Sequence, residues 1–194
     1  EIMIADDGEV LMRGRHVFKG YFKNEAATKE TIDEGGWLHS GDIGIIDERG
    51  FLKITDRKKE LIITAGGENI PPQLLEGKLK SIPVLSQAVV IGDKRKYLTA
   101  LFTLDPEKIA QVAAAETDSP ARDSAAASKC EKFNTYIQSK VDEINKTLAR
   151  VQTIKKFAIL PHEFSIEGDE LTPTMKLKRR IVNEKYANEI ESMY

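Results

Sequence analysis

The strongest constraint on this fold lies in residues 39–72, where the pattern of the chain changes. Two short apolar runs, residues 43–46 and 51–54, are separated by the turn sequence Asp-Glu-Arg-Gly and predict a β-hairpin. A β-branched run then leads into Gly66 and Gly67, and the two prolines that follow suit the first turn of a helix. A hairpin, a glycine pair and a helix start in this order predict a boundary between two structural units.

Residues 1–56 are rich in strand and turn signals and predict a small β-rich unit. The sequence Asp-Asp-Gly at 6–8 is a hairpin-type turn between two apolar runs. One short helix is predicted at 25–34, and we expect Trp37 and Phe51 to pack in the core of this unit.

Residues 57–194 show alternating helical and strand patterns, which predict a mixed α/β domain and make the whole chain α+β. Residues 113–128 are poor in large apolar side chains, so we predict a mobile connector there. The predicted helices are 72–81, one beginning near Asp105, one carrying an apolar face over 133–148, and a basic one from about Lys176; the predicted strands are 88–92, 98–104 and 157–160.

Composition limits the classes of function. The net charge of −2 gives no global electrostatic case for nucleic acid binding. A single cysteine, Cys130, rules out an internal disulfide and a thiolate metal cluster and fits a reducing, cytoplasmic compartment. No apolar run approaches the length of a membrane span.

Asp42 and Arg57 are the first candidate ligand-binding pair. Taken alone, Asp42 is typical of a turn aspartate that binds its own backbone, and Arg57 is typical of a surface ion pair. A carboxylate, however, can accept hydrogen bonds from two hydroxyls, and a guanidinium is a fixed fork of donors. Because a hairpin lies between them, we expect both side chains at one edge of a site.

Lys176 lies where a Thr-Pro-Thr loop meets the predicted basic helix. Composition alone favours a solvated basic helix or a weak patch for anionic membranes. A lysine on such a loop can also extend into a cleft and offer a mobile positive charge to phosphate and carboxylate oxygens. His16, His39 and His162 are too scattered for recognisable metal-ligand or triad spacing, so we predict no metal site.

Three motifs together resemble the adenylate-forming superfamily of acyl-CoA synthetases, luciferases and adenylation domains. They are Gly-Trp-Leu-His-Ser-Gly-Asp (36–42), Asp-Arg-Lys-Lys-Glu-Leu-Ile (56–62) and Pro-Thr-Met-Lys-Leu-Lys-Arg (173–179), in the order of that family. The sequence Gly-Gly-Glu-Asn-Ile-Pro-Pro (66–72) is similar to the long-chain branch, and within it to the bubblegum-type synthetases. Met175 stands where much of the superfamily has glycine, as in other long-chain enzymes.

The resemblance implies a fold, a reaction and site residues. It implies the β-rich tail of a large adenylation domain (1–56) followed by a mobile C-terminal domain (57–194). The implied enzyme is a long-chain fatty acid–CoA ligase that forms acyl-AMP from ATP and then a CoA thioester. The roles implied are as follows: Asp42 and Arg57 bind the ribose, Lys59 is the hinge, Gly66 and Gly67 line the CoA path, and Lys176 is catalytic.

We expect the chain to be a fragment of a longer protein and to be inactive alone, because the sequence has no Gly-rich phosphate loop. The partners implied are the missing N-terminal domain, fatty acid, ATP and CoA, with the Mg²⁺ site outside the fragment. Two alternatives remain open at this stage. One is an adenylating enzyme that loads a carrier protein, and the other is a module that binds a membrane or a partner through the basic helix.

Overall fold

The computed structural model describes all 194 residues and divides into two compact units, Glu1–Leu61 and Ile62–Tyr194. The sequence-based boundary after residue 56 falls inside a strand, Leu52–Arg57, which pairs with the strand before it and so stays in the first unit. The architecture is α+β, as predicted.

The first unit is a four-stranded antiparallel sheet in the order β1-β2-β3-β4. Its short helix is capped by Asn24, whose side chain accepts a hydrogen bond from the Ala27 N–H at 3.1 Å. Both predicted hairpins are confirmed. The elements are β1 Ile2–Ile4, β2 Glu9–Met12, α1 Glu25–Thr31, β3 Leu38–Ile46 and β4 Leu52–Arg57.

Phe51 does not pack in the core of this unit. It follows the turn between β3 and β4 and is 64% exposed, with the Arg49 guanidinium 5.2 Å from its ring centroid. The prediction was wrong because an aromatic residue beside a tight turn can point into solvent, away from the sheet formed by the two strands that the turn connects. Trp37 is half-buried under Arg13.

The second unit contains a three-stranded sheet, β7-β8-β9, and a separate two-stranded ribbon, β5-β6. Strands β7 and β8 are antiparallel, whereas β8 and β9 are parallel and are joined by a helical crossover. The strands are β5 Ile62–Ile63, β6 Asn69–Ile70, β7 Leu85–Ile91, β8 Leu98–Leu104 and β9 Ile154–Ile159. The helices are α2 Pro72–Leu79, α3 Pro106–Val112, α4 Ser124–Lys129, α5 Glu131–Asn145, α6 Arg179–Lys185 and α7 Ala187–Ser192.

Strand β8 is buried along its whole length because the sheet has an apolar cluster on each face. Ala100 and Phe102 belong to one cluster, with α2, α3 and α5, while Leu101 belongs to the other, with α6 and α7. Successive side chains of a strand point to opposite faces, so a strand covered on both sides is apolar at most of its positions, and in β8 only the buried Thr99 and Thr103 are polar. This is why the sequence shows no alternation there.

The segment 113–128 has regular structure and is not the predicted connector. One π-helical turn, Ala113–Thr117, is followed by α4, and Ala113, Ala121 and Ala127 are buried. Alanine can pack closely and loses no side-chain entropy, so the absence of large apolar residues did not mean an absence of packing.

The basic helix begins later than predicted. Lys176 lies in a loop, and α6 starts at Arg179 and ends before Tyr186, where α7 follows. None of the helices combines the length and apolarity that crossing a membrane requires.

Candidate functional site

Asp42 and Arg57 face each other across the β3–β4 hairpin. Their Cα atoms are register partners, and Arg57 Nε lies 2.9 Å from Asp42 Oδ1. The Asp42 side chain is 28% exposed and that of Arg57 is 62% exposed. An ion pair this open adds little stability but orients both groups. The two predicted residues therefore form one polar edge that a ligand with hydroxyl groups can reach.

Glu9 is a buried carboxylate that contacts the chain neighbours of Asp42 and Arg57, and no sequence pattern singled it out. Glu9 is only 3% exposed. Oε1 accepts the Gly41 N–H at 2.9 Å, and Oε2 lies 3.0 Å from His39 Nδ1 and 2.9 Å from Lys58 Nζ. Lys58 also pairs with Asp7 at 2.7 Å. The neighbours of Asp42 and Arg57 are thus tied to one buried acid.

The hydrogen bonds within this cluster favour the charged forms of Glu9 and Lys58. Burial opposes ionisation of Glu9, but hydrogen bonds from Lys58, His39 and the Gly41 N–H outweigh it and lower the pKa of the carboxyl. Hydrogen bonds to Asp7 and Glu9 raise the pKa of Lys58. The only sequence signal for Glu9 was an acidic residue immediately before a short apolar strand.

Lys59 lies in a single 3-10 turn, Lys58–Glu60, at the end of the first unit. Its side chain is exposed, and the first unit ends at Leu61. A short turn between two compact units is the type of segment in which hinges occur.

Gly66 and Gly67 form the tip of the β5–β6 ribbon. Gly67 has φ +81°, which a side chain disfavours, whereas a Cβ at Gly66 would make only an ordinary contact with Thr64 Oγ1 at 3.7 Å. The β7–β8 turn supports the ribbon: the Lys94 N–H donates to Ile63 O at 2.7 Å. The backbone conformation therefore favours glycine at position 67, whereas nothing in the chain's own structure requires it at position 66.

Lys176 is held on a tight, exposed hairpin. Leu171 and Leu177 form an antiparallel bridge, the Thr172 N–H donates to Lys176 O at 2.8 Å, and the Met175 N–H donates to Thr172 O at 2.8 Å. Met175 has φ 62°, which explains why glycine is an alternative residue at this position. The turn presents Lys176 to solvent on a defined backbone.

The other cations of the basic segment are neutralised within the second unit. Lys176 is the one lysine or arginine of residues 176–185 without an ion pair, which weakens the electrostatic basis for a membrane patch. The four pairs are Lys178–Asp169, Arg179–Glu76, Arg180–Glu184 and Lys185–Glu170.

Two of the three histidines serve as hydrogen-bond partners. His39 contacts Glu9, and His162 Nε2 lies 2.9 Å from the Tyr186 hydroxyl. No three His, Cys, Asp or Glu side chains are close enough to hold a metal ion. The residues present do not fit a Mg²⁺ site.

Comparison with known proteins identifies the family. The chain is 44% identical over 200 positions to the long-chain-fatty-acid–CoA ligase FadD15 of Mycobacterium tuberculosis, covering all of this chain and 32% of that protein. It is 43% identical over 204 positions to the long-chain-fatty-acid–CoA ligase ACSBG1 of Homo sapiens, covering 96% of this chain and 28% of the relative. The chain thus spans about a third of the length of these relatives.

A solved structure shares the fold. The adenylation domain of a carboxylate reductase from Mycobacterium chelonae superposes with a TM-score of 0.73 at 26% identity, covering 96% of this chain and 27% of that one. The family model described as the AMP-binding enzyme C-terminal domain matches residues 59–194. These matches confirm the resemblance seen in the motifs, and the chain belongs to the adenylate-forming enzymes through their AMP-binding C-terminal domain.

Proposed function

We propose that this chain is the C-terminal part of a long-chain fatty acid–CoA ligase. The intact enzyme would join a fatty carboxylate to the α-phosphate of ATP with release of pyrophosphate. The CoA thiol would then displace AMP from the acyl-adenylate to form the thioester. The relatives named as long-chain-fatty-acid–CoA ligases, at 43–44% identity across almost all of this chain, support this substrate class.

The Asp42–Arg57 pair is the observation that carries the nucleotide part of the proposal. Asp42 would accept hydrogen bonds from the two ribose hydroxyls, and Arg57 would hold the carboxylate in place and donate to the same sugar. The 2.9 Å ion pair already orients both groups. The buried Glu9 fixes the backbone at Gly41, immediately before Asp42.

Lys176 would act in the first half-reaction. A fatty carboxylate and a phosphate are both anionic, and an ammonium between them lowers the repulsion where charge rearranges. Lys176 is exposed and carries no ion pair within its unit, so it is free to make these contacts. The thiol step has no need of this charge.

Lys59, Gly66 and Gly67 would serve the second half-reaction. Rotation at Lys59 would withdraw Lys176 and present the β5–β6 ribbon to the pantetheine arm of CoA. The open space around Gly66 is consistent with a ligand path. The Mg²⁺ that accompanies ATP would be bound by another part of the intact enzyme.

The test is the Lys176→Ala variant of the intact enzyme. We expect ATP–pyrophosphate exchange to fall by about 100-fold or more, the magnitude typical for loss of one electrostatic donor, while CoA attack on supplied acyl-adenylate is retained. Arg180→Ala, which removes an exposed cation four residues away, is the matched control and should affect neither step. Equal loss of both steps in Lys176→Ala would overturn the role of Lys176.

Carrier-protein loading is the second candidate, favoured by the structural match to an adenylation domain of a carboxylate reductase. The same assay separates the two candidates. If the acyl group passes to a carrier-protein phosphopantetheine thiol but not to free CoA, the carrier-loading function replaces the proposed one.

A further inference from the structure

The Lys176 hairpin, residues 171–177, has one charged residue at the base of each of its two arms. Glu170 immediately precedes Leu171, and Arg179 begins α6 after the second arm. Glu170 is 1% exposed and the Arg179 side chain is 19% exposed. Neither residue lies on the exposed tip that carries Lys176.

Glu170 ties the first arm to the body of the second unit. Its side chain accepts the Ser165 N–H at 3.2 Å, the Lys185 ammonium at 2.5 Å and the Tyr186 hydroxyl at 2.8 Å. Its backbone carbonyl accepts the Lys178 N–H at 2.8 Å, which joins the two arms. Burial opposes ionisation, but these donors outweigh it and lower the pKa of Glu170 to about 2.

Arg179 ties the second arm to α2 and β7. Its Nη1 and Nη2 atoms lie 2.8 Å and 3.1 Å from the two carboxylate oxygens of Glu76, a bidentate pair. Glu76 also accepts the Val90 N–H at 2.8 Å. The planar guanidinium forms two parallel hydrogen bonds with the carboxylate, which fix the direction of the Arg179 side chain as well as its distance from Glu76. A lysine ammonium would fix only the distance.

We infer that Glu170 and Arg179 are positioning residues for Lys176, aligning its hairpin for the adenylation step. The inference rests on the proposed function of Lys176. A carboxylate held by several donors and a bidentate arginine pair each fix direction as well as distance, so these two groups supply fixed geometry at the base of the hairpin. A displacement of about 1 Å at a reacting group can cost about 100-fold in rate. Anchors on both arms restrict such displacements.

The first experiment uses the intact ligase with Glu170→Gln. The glutamine NH₂ group would face the donors that the carboxylate now accepts, so the base of the hairpin shifts. We expect the rate of ATP–pyrophosphate exchange to fall by about 10- to 100-fold, with CoA attack on supplied acyl-adenylate unchanged. Arg179→Lys keeps the charge but removes the fork, and it should show the same selective loss.

The second experiment is a double-mutant cycle with Lys176→Ala. If Glu170 acts through Lys176, then Glu170→Gln should cause no further loss of exchange in the Lys176→Ala background. A general loss of folding would instead lower both half-reactions in both backgrounds. Arg180→Gln, on the exposed side of α6, is the control and should leave both steps unchanged.

The outcomes distinguish the positioning role of Glu170 and Arg179 from the proposed role of Lys176. If Lys176→Ala is selective for adenylation but Glu170→Gln and Arg179→Lys are not, the positioning inference is wrong and the proposed function stands. If Glu170→Gln has its full effect in the Lys176→Ala background, the inference is also wrong. If Lys176→Ala itself shows no selective loss, the proposed role of Lys176 fails first and the inference fails with it.

Discussion

Gly66 and Gly67 are adjacent, but only Gly67 has a backbone conformation that favours glycine. At Gly67 the backbone itself demands glycine, since φ is +81°. At Gly66 a methyl group would meet nothing closer than Thr64 Oγ1 at 3.7 Å. Only an outside molecule would be obstructed by a side chain at Gly66, so this residue gives a clean test of the CoA path.

We predict that Gly66→Ala slows CoA attack on supplied acyl-adenylate by about 10-fold or more while leaving ATP–pyrophosphate exchange and thermal stability nearly unchanged. The expectation follows because a ligand that must pass within contact distance is displaced by an added methyl group. Steady-state measurement of both half-reactions in the intact enzyme checks it.

Gly77→Ala, on an exposed position of α2 with open space around it, is the matched control. It should leave the thiol step unaffected and raise stability by about 1 kcal/mol through helix propensity. An unchanged thiol step in Gly66→Ala would remove Gly66 from the proposed path.

The Lys176 hairpin is attached to the second unit through the buried carboxylate of Glu170. The pKa of Glu170 is about 2, against an ordinary value of 4.5. Between these values the unfolded chain binds a proton that the folded chain does not, so stability falls as pH falls through this window. Above pH 4.5 the contribution is fully present.

We predict that Glu170 contributes on the order of 3 kcal/mol to the acid-dependent loss of folding free energy of this chain. Denaturant titrations between about pH 2 and pH 6 should therefore show a steeper decline for the native chain than for Glu170→Gln. Glu184→Gln, which removes an exposed partner of Arg180, is the control and should keep the native slope. Parallel curves for the native chain and Glu170→Gln would contradict the assigned pKa.

Helices and strands differ from the sequence-based expectations where small side chains pack closely and where a turn competes with the start of a helix. Residues 113–128 were predicted as a connector because large apolar residues are few, yet alanines there are buried. The helix predicted from Lys176 begins at Arg179, because the backbone groups of Thr172 and Lys176 bond across the turn instead of within a helix. Helix propensity cannot detect such a competing turn.

The boundary between the two compact units lies between Leu61 and Ile62, two residues after Lys59 in the sequence. The proposed reaction needs two arrangements of the second unit, one for each half-reaction. A hinge residue must change its backbone angles between them.

We predict that Lys59→Pro in the intact enzyme retains ATP–pyrophosphate exchange but lowers overall thioester formation by about 10-fold or more, because proline fixes φ near −65°. Lys59→Ala leaves the backbone free to rotate and should retain both activities. Assays of exchange, of overall turnover and of the thiol step alone check this. Equal loss of all three in Lys59→Pro would indicate damage to the fold and not a restricted hinge.

The local features of the molecule follow from short sequence patterns. Turn residues between apolar runs set both hairpins of the first unit, and the mainly apolar run 98–104 predicted the strand β8. The spacing of Asp42 and Arg57 across a hairpin was enough to place them together, because a two-stranded register follows from local turn geometry. The ordered motifs identified the family.

The burial of charged residues, and the partners that they bind, depend on the folded arrangement of the whole chain. Glu9 binds Lys58 from 49 positions away, and Glu76 binds Arg179 from 103 positions away. A charged residue in a sequence is normally exposed, and its burial depends on partners that only folding brings together. The residues that carry the proposed chemistry were therefore visible in the sequence, while the buried acids that hold them in place were not.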